Sequence, residues 1–176
     1  SGLYRVLRRI DGKPIKLPNP KKKSKPYEQM QYPGQRGQID VKFVPASCIV
    51  GEAEGQKFYQ YTFIDEYSRF RYLEAFEEHS TYTSAQFIRH VVEQFPYAIE
   101  RIQTDNGIEF THVKNTKRIH PLDILCNELH IIHKLIRPRM PQHNGKVERS
   151  HRNDQERFYN LLKFYSYDDL KIQMKR

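Results

Sequence analysis

Alternating polar and apolar positions mark the first strands of this chain. The stretch from Gln38 to Phe43 has a period of two, which predicts a strand with Asp40 on the face opposite the apolar residues. Aromatic-rich residues 56–64 predict a second strand, and residues 69–76 predict a third after a polar turn. Because the links between these strands are short, we expect an antiparallel meander.

Helical and strand periodicity alternate in the rest of the chain. Ser80 or Thr81 can cap a helix that ends at Pro96, and its apolar residues follow at helical spacing. The later predicted elements are a strand over 99–104, a helix from Pro121, a strand over 130–136, a helix capped by Asn144 that runs to about Lys163, and a short helix capped by Ser166. This order predicts an α/β fold, in which a mixed sheet of a three-strand meander and two further strands is flanked by helices.

Charge and proline content separate the first 34 residues from the remainder. Residues 1–34 contain nine Lys/Arg and only two acidic residues, together with five of the ten prolines. We therefore predict a basic, proline-rich arm or linker over 1–34 and a folded domain over 35–176. Lys21, Lys22 and Lys23 form a run that suits contact with a phosphate backbone. The alternative is a basic tail that serves solubility alone.

Composition also excludes several classes of protein. No apolar run approaches the roughly 18 residues of a membrane span, so we expect no membrane partner. Two cysteines make no disulfide framework, which favours a reducing compartment. Cys126, His130 and His133 have a zinc-like spacing, but without a second pair in register we assign them to core and surface positions.

Three acids stand beside structural landmarks and are the candidate catalytic residues. Asp40 lies on the first predicted strand, Asp105 ends the strand over 99–104, and Glu148 lies on a late helix. Sites in α/β sheets form at strand ends, and carboxylate oxygens are the ligands that Mg²⁺ prefers. Such a set suits phosphodiester chemistry with two divalent ions.

Four stretches give the chain a family resemblance. From about Gly34 onward it resembles the catalytic core of DDE integrases and transposases, and it looks closest to those of bacterial insertion sequences. The matching stretches are Gly37-Gln38-Ile39-Asp40, residues 61–69, residues 104–110 and residues 137–149. The resemblance implies an RNase H-like fold, with Asp40, Asp105 and Glu148 as the metal-binding acids. One departure is that 42 residues separate Asp105 from Glu148, more than in many members, and we assign the surplus to the polar loop 111–120.

The resemblance also implies a reaction, cofactors and partners. We expect two Mg²⁺ or Mn²⁺ ions in the DNA-bound state, hydrolysis at mobile-element ends, and strand transfer into target DNA. The expected partners are DNA and further copies of the chain, at least a dimer. The expected location is the bacterial cytoplasm, at the nucleoid, or the nucleus for a eukaryotic element. Two alternatives stay open: an inactive DNA- or protein-binding descendant of this fold, and a metal-dependent nuclease without joining activity.

Basic residues near Glu148 are the candidate DNA ligands, namely Arg139, Lys146, Arg149 and Arg152. An intrahelical ion pair with Glu148 is the alternative for Arg152, and a buried structural role is the alternative for Arg149. Three further residues are candidate supports of the acids: Asn106 as part of a turn that aims Asp105, Glu109 as a neighbouring acid, and His143 as a loop residue. For His143 the alternative is a loop histidine without such a role.

Overall fold

A mixed five-stranded sheet forms the centre of the molecule. The computed structural model describes residues 28–112, 118–136 and 144–175, together with Gly2, Arg5 and Val6. The strands are β1 (Gly37–Phe43), β2 (Tyr59–Asp65), β3 (Arg71–Phe76), β4 (Arg101–Thr104) and β5 (Ile132–Leu135). Their order is β3-β2-β1-β4-β5, in which β1, β2 and β3 are antiparallel and β4 runs parallel to both β1 and β5. The predicted meander and mixed sheet are confirmed.

Helices follow the strands in the predicted order. They are α1 (Thr81–Gln94), α2 (Pro121–Glu128), α3 (Gly145–Asp154) and α4 (Tyr167–Met174). Short 3-10 turns occupy Ala46–Cys48 and Gly51–Ala53, between β1 and β2. Ser80 caps α1 by accepting the N–H of Thr83, and Ser166 caps α4 by accepting the N–H of Asp169. Both caps agree with the sequence prediction.

The end of α3 differs from the prediction of a helix running to about Lys163. The α-helix ends at Asp154, and Gln155–Tyr159 form a π turn in which the N–H of Asn160 bonds to the carbonyl of Gln155 at 3.0 Å. The wider turn lets Asp154 and Tyr159 both face the sheet, where each bonds to Gln60. These buried polar contacts account for the change of helix type.

Two apolar clusters hold the helices on the sheet. In the larger one, Phe87, Ile88 and Val91 of α1 pack on sheet residues such as Ile39 and Ile102. The smaller cluster joins the segment after β1 to the chain end, and its members include Cys48, Phe58, Tyr159, Phe164 and Leu170. A parallel bridge between Ile49 and Phe164 adds backbone pairing there. The C-terminal segment is thereby an integral part of the domain.

Residues 28–34, the last part of the predicted arm, contact the domain. Met30 is buried, and the N–H of Gly34 donates to Asp65 Oδ1 at 2.9 Å. Gly34 has φ +84°, and a Cβ there would lie 1.9 Å from the carbonyl oxygen of Ala98, so glycine is required. Lys21, Lys22 and Lys23 lie outside the described residues. None of the helices in the described ranges is long and apolar enough to cross a membrane.

Replacing Phe87 by alanine is expected to lower the free energy of unfolding by about 3–5 kcal/mol. Its fully buried ring contacts those of Tyr61, Tyr72 and Phe76, so truncation leaves a cavity in the larger cluster. Urea unfolding measures the change. Tyr82→Ala on the same helix is the matched control, because Tyr82 is 75% exposed; it should cost less than about 0.5 kcal/mol. Equal losses in the two variants would contradict this packing.

Candidate active site

The parallel pairing of β1 with β4 places the first two predicted acids side by side. Gly37 pairs with Ile102 and Gln38 with Gln103, and continuing this register sets Asp40 level with Asp105. Asp40 lies within β1, whereas Asp105 directly follows the last residue of β4. Two aspartates separated by 64 residues in sequence thus meet on neighbouring strands.

Asp40 lies in a strongly negative environment. Burial raises the pKa of Asp40 to about 7, and the charge of Asp105 is the next largest cause. Glu148 and Glu109 raise this pKa further, while the N–H of Val41, which donates to Asp40 Oδ1 at 3.0 Å, opposes the change. Asp105 and Glu148 therefore both lie within electrostatic range of Asp40.

The turn after β4 orients Asp105. The N–H of Gly107 donates to Asp105 Oδ1 at 2.9 Å, and Asn106 Nδ2 donates to the carbonyl of Ile136 at 3.0 Å. Burial raises the pKa of Asp105, and the Gly107 N–H opposes that rise. Asn106 therefore ties the turn after β4 to the residue that follows β5.

Glu109 is a buried acid that contacts His79. Its Oε1 lies 2.9 Å from Nε2 of His79, which follows β3. The charge of Glu109 raises the pKa of both Asp40 and Asp105, so it belongs to the same electrostatic group. His79 was not singled out from the sequence, because its contact with Glu109 joins segments 30 residues apart and no motif marks it.

Glu148 is exposed in the first turn of α3, and β1 anchors that turn. The side-chain oxygen of Gln38 accepts the N–H groups of Lys146 and Val147 at 3.1 and 3.2 Å. Asn144 makes no side-chain cap; its Nδ2 instead donates to the carbonyl of Ile39 at 3.3 Å. Asn144 is thus the N-cap residue at the predicted position, but Gln38 from the sheet, and not the Asn144 side chain, accepts the first helical N–H groups.

Buried Glu66 holds Lys146. The ammonium of Lys146 donates to the carbonyl of Glu66 at 3.0 Å and to Glu66 Oε2 at 3.2 Å. Arg36 Nε and Gln38 Nε2 both donate to Glu66 Oε1, at 2.6 and 2.9 Å. Of the predicted DNA ligands, Lys146 therefore has a structural partner within the domain.

Arg149 and Arg152 are exposed on α3. The exposure of Arg149 excludes the buried structural role considered as its alternative. Within residues 144–175 no ion pair joins Glu148 to Arg152, which leaves the guanidinium of Arg152 on the surface. Arg139 and His143 lie outside the described residues.

His151 is a neighbour of Asp40 that the sequence analysis missed. Its Nδ1 lies 3.6 Å from Asp40 Oδ2, and its Nε2 lies 3.1 Å from the hydroxyl oxygen of Thr62. Burial lowers the pKa of His151 to about 4, and the charges of Lys42 and Arg71 act in the same direction. Its position three residues after Glu148 on a helix was the available signal.

The carboxylates of the site suit a hard divalent cation, although they do not form a complete set of metal ligands in the part of the chain that the structure describes. In the described ranges no group of three or more His, Cys, Asp and Glu side chains is arranged to hold a metal ion. Asp40 and Asp105 nevertheless offer carboxylate oxygens whose ionisation is opposed by burial and by other acids. A cation between them would relieve this repulsion, so the residues fit a metal bound chiefly by two aspartates, with Glu148 nearby.

Comparison with known proteins places these features in a family. The model of the family described as integrase core domain matches residues 31–141, a range that contains Asp40 and Asp105 and ends before Glu148. The protein named "Putative integrase ORF3" of Spiroplasma virus SpV1-C74 is 32% identical over 126 residues, which are 66% of this chain. The chain spans about a third of that relative's length, namely 34%.

Solved structures share the fold at low sequence identity. A chain of the simian T-cell lymphotropic virus intasome in complex with PP2A regulatory subunit B56 gamma has a TM-score of 0.64 at 14% identity, covering 84% of this chain and 49% of that one. The catalytic core domain of BIV integrase has a TM-score of 0.51 at 22% identity, covering 70% and 68%. The HTLV-2 integrase catalytic core domain in complex with magnesium, in its dimeric form, has a TM-score of 0.50 at 18% identity, covering 70% and 69%. The predicted RNase H-like fold is confirmed by this likeness.

Replacing Asp40 by asparagine is expected to stabilise the metal-free protein at pH 8 by on the order of 2 kcal/mol. The pKa of Asp40 is raised in the folded state, so the folded protein binds a proton that the unfolded chain releases. The contribution of Asp40 to the stability of the wild type is therefore lost as pH rises from about 4 to 7, and Asp40→Asn lacks this loss. Denaturant unfolding in EDTA at pH 4 and pH 8 tests this. Asp168→Asn, at an 82% exposed side chain, is the control, and equal pH profiles for wild type and Asp40→Asn would contradict it.

Replacing Gln38 by methionine is expected to lower the free energy of unfolding by about 1–3 kcal/mol. The change keeps the side-chain length but removes the oxygen that accepts from Lys146 and Val147 at the start of α3. Urea unfolding measures the loss, and hydrogen exchange should show faster exchange at those two amides. Gln56→Met, at an exposed glutamine before β2, is the control. Unchanged exchange at both amides would show that Gln38 does not anchor the helix.

Proposed function

The chain belongs to the integrase core domain family, and we propose that it is the catalytic core of a transposase or integrase. In this proposal it hydrolyses a phosphodiester bond at the end of a mobile DNA element and joins the resulting 3′-OH to target DNA. The observation that carries the proposal is the β1–β4 register, which sets Asp40 level with Asp105, while Gln38 of β1 holds the start of the helix that carries Glu148. These are the same acids that the motifs single out.

Asp40, Asp105 and Glu148 would be the ligands of two Mg²⁺ or Mn²⁺ ions. The chemistry that such a pair supplies when bound is activation of an attacking oxygen and stabilisation of a leaving oxygen. Asp40 has a pKa of about 7 without metal, so binding displaces a proton from part of the population at neutral pH. The similar HTLV-2 domain is described in complex with magnesium, which supports this choice of ion.

The protein's own residues hold the reacting groups in this proposal. The Asn106-Gly107 turn fixes Asp105, whereas Gln38 and the Lys146–Glu66 pair fix the helix that carries Glu148. Arg149 and Arg152 are exposed on the helix that carries Glu148, where they would bind phosphates of the DNA. Arg139 and the run Lys21–Lys23 are proposed to extend this contact.

Oligomeric assembly is part of the proposal. The similar chains include a member of an intasome and a dimeric integrase core. Strand transfer of two element ends into one target needs two active sites at a fixed separation, which a dimer or larger assembly provides. We propose that this chain acts as a homo-oligomer on DNA, at the nucleoid in a bacterial host or in the nucleus in a eukaryotic one.

Replacing each acid by its amide tests the proposal. Asp40→Asn, Asp105→Asn and Glu148→Gln should each reduce strand transfer by roughly 10³-fold or more while DNA binding persists, because the amides do not supply anionic oxygen ligands. The assay uses duplexes that carry the ends of the parent element, with Mg²⁺ or Mn²⁺. Glu156→Gln, at an exposed acid in the π turn, is the control and should keep activity.

The same assay separates the alternatives. Full activity in any of the three variants would remove that residue from the site. Cleavage without joining by the wild type would favour a nuclease. DNA binding with neither reaction would favour an inactive descendant of the fold.

A further inference from the structure

A chain of polar side chains on one face of the sheet connects the edge strand β3 to Asp40 on β1. It consists of Arg71, Asp154, Gln60, Thr62 and His151, and we call it the polar chain. Gln60 and Thr62 are 1% and 0% exposed, and Asp154 is 9% exposed. Because Gln60 and Thr62 are closed to water, their hydrogens need protein acceptors, so the donor and acceptor of each bond can be assigned in order along the chain.

The ion pair between Arg71 and Asp154 sets the first step. Asp154 is an anion beside the guanidinium, so its Oδ2 must face donors. Gln60 Nε2 lies 2.7 Å from this oxygen, and the hydroxyl of Tyr159 donates to Gln60 Oε1 on the other side. The opposite orientation of the amide would set two oxygens against each other, which fixes the orientation of Gln60.

The orientation of Gln60 determines the proton of Thr62. Gln60 Nε2 also donates to the hydroxyl oxygen of Thr62 at 2.9 Å, so the hydroxyl hydrogen must point elsewhere. Within the described ranges the acceptor in place is His151 Nε2 at 3.1 Å. A buried hydroxyl hydrogen without an acceptor is strongly disfavoured, so Nε2 accepts this bond and carries no proton.

The remaining proton of the ring lies at Nδ1, on the side of Asp40. A ring whose Nε2 accepts a hydrogen bond carries no proton there, so its proton is at Nδ1. Nδ1 lies 3.6 Å from Asp40 Oδ2, and the N–H of Val41 already holds Oδ1. The contact is longer than a hydrogen bond, so the Nδ1–H acts on Oδ2 through its dipole and leaves this oxygen able to bind a cation.

We infer that His151 is a positioning residue for Asp40 and that the Arg71–Asp154 pair, acting through Gln60 and Thr62, fixes its tautomer. Insofar as Asp40 is a metal ligand, the inference rests on the proposed function. Lys42 supports the arrangement, since its ammonium donates to the carbonyl of His151 at 3.2 Å and to Gln155 Oε1 at 2.8 Å. These contacts hold the end of α3 on β1, the strand that carries Asp40.

Nitrogen-15 NMR of the metal-free, DNA-free chain tests the tautomer directly. Long-range correlation spectra distinguish a ring protonated at Nδ1 from one protonated at Nε2, and loss of signals in His151→Asn assigns the residue. The wild type should show the Nδ1–H form. Thr62→Ser keeps the hydroxyl and should keep this form, whereas Thr62→Val keeps the branched shape and should give a mixture. An Nε2–H ring in the wild type overturns the inference.

Two substitutions at His151 test the positioning role. The amide nitrogen of asparagine can occupy the place of Nδ1 and that of glutamine the place of Nε2, so His151→Asn keeps a donor towards Asp40 and His151→Gln does not. We expect His151→Gln to lower kcat for strand transfer by about 10–100-fold with little change in KM, and His151→Asn to restore most of that loss. Equal losses in both variants overturn the inference.

The two tests separate this inference from the proposed function. If the wild type has no transferase activity, the proposed function fails, while the NMR result still decides the tautomer. If Thr62→Val does not fold, the wild-type tautomer and the His151 pair still decide. If activity requires the three acids but the wild-type ring is protonated at Nε2, the inference fails and the proposed function stands.

Discussion

The parallel pairing of β1 with β4 is the constraint on which the rest of the structure depends. The register sets Asp40 level with Asp105, while Gln38 on the same strand accepts the first amides of the helix that carries Glu148. β1 therefore sets the relative positions of Asp40 and Asp105, and it anchors the N-terminus of the helix that carries Glu148. Buried Glu66, which directly follows β2, adds an ionic tie to the same helix through Lys146.

The site places several carboxylates close together in a partly buried position, which lowers the stability of the folded protein. Burial and neighbouring acids raise the pKa of Asp40, which means that ionising this group opposes folding. Hydrogen bonds from Val41 and Gly107 to the two aspartates offset part of this cost. The surrounding apolar clusters supply the stability that allows such a site to persist, as expected where function and folding make opposite demands.

Local sequence signals predicted the secondary-structure elements and the three acids, whereas contacts between distant segments could not be predicted from the sequence. The period of two gave β1, and Ser80 and Ser166 marked the starts of α1 and α4 because capping is a local interaction. Asn144 marked the start of α3, but the side chain that accepts the first N–H groups belongs to Gln38, about 100 residues away. His79 and His151 carried no motif, since their roles arise only when distant segments meet.

The π turn over Gln155–Tyr159 makes the number of residues in this segment as important as their identity. Removing one residue would restore an ordinary helix but rotate everything beyond it by about 100°. Phe164 and Leu170 would then leave the smaller apolar cluster, and Tyr159 would lose Gln60. Relatives that keep this C-terminal packing are therefore expected to conserve the length of the segment even where its side chains vary.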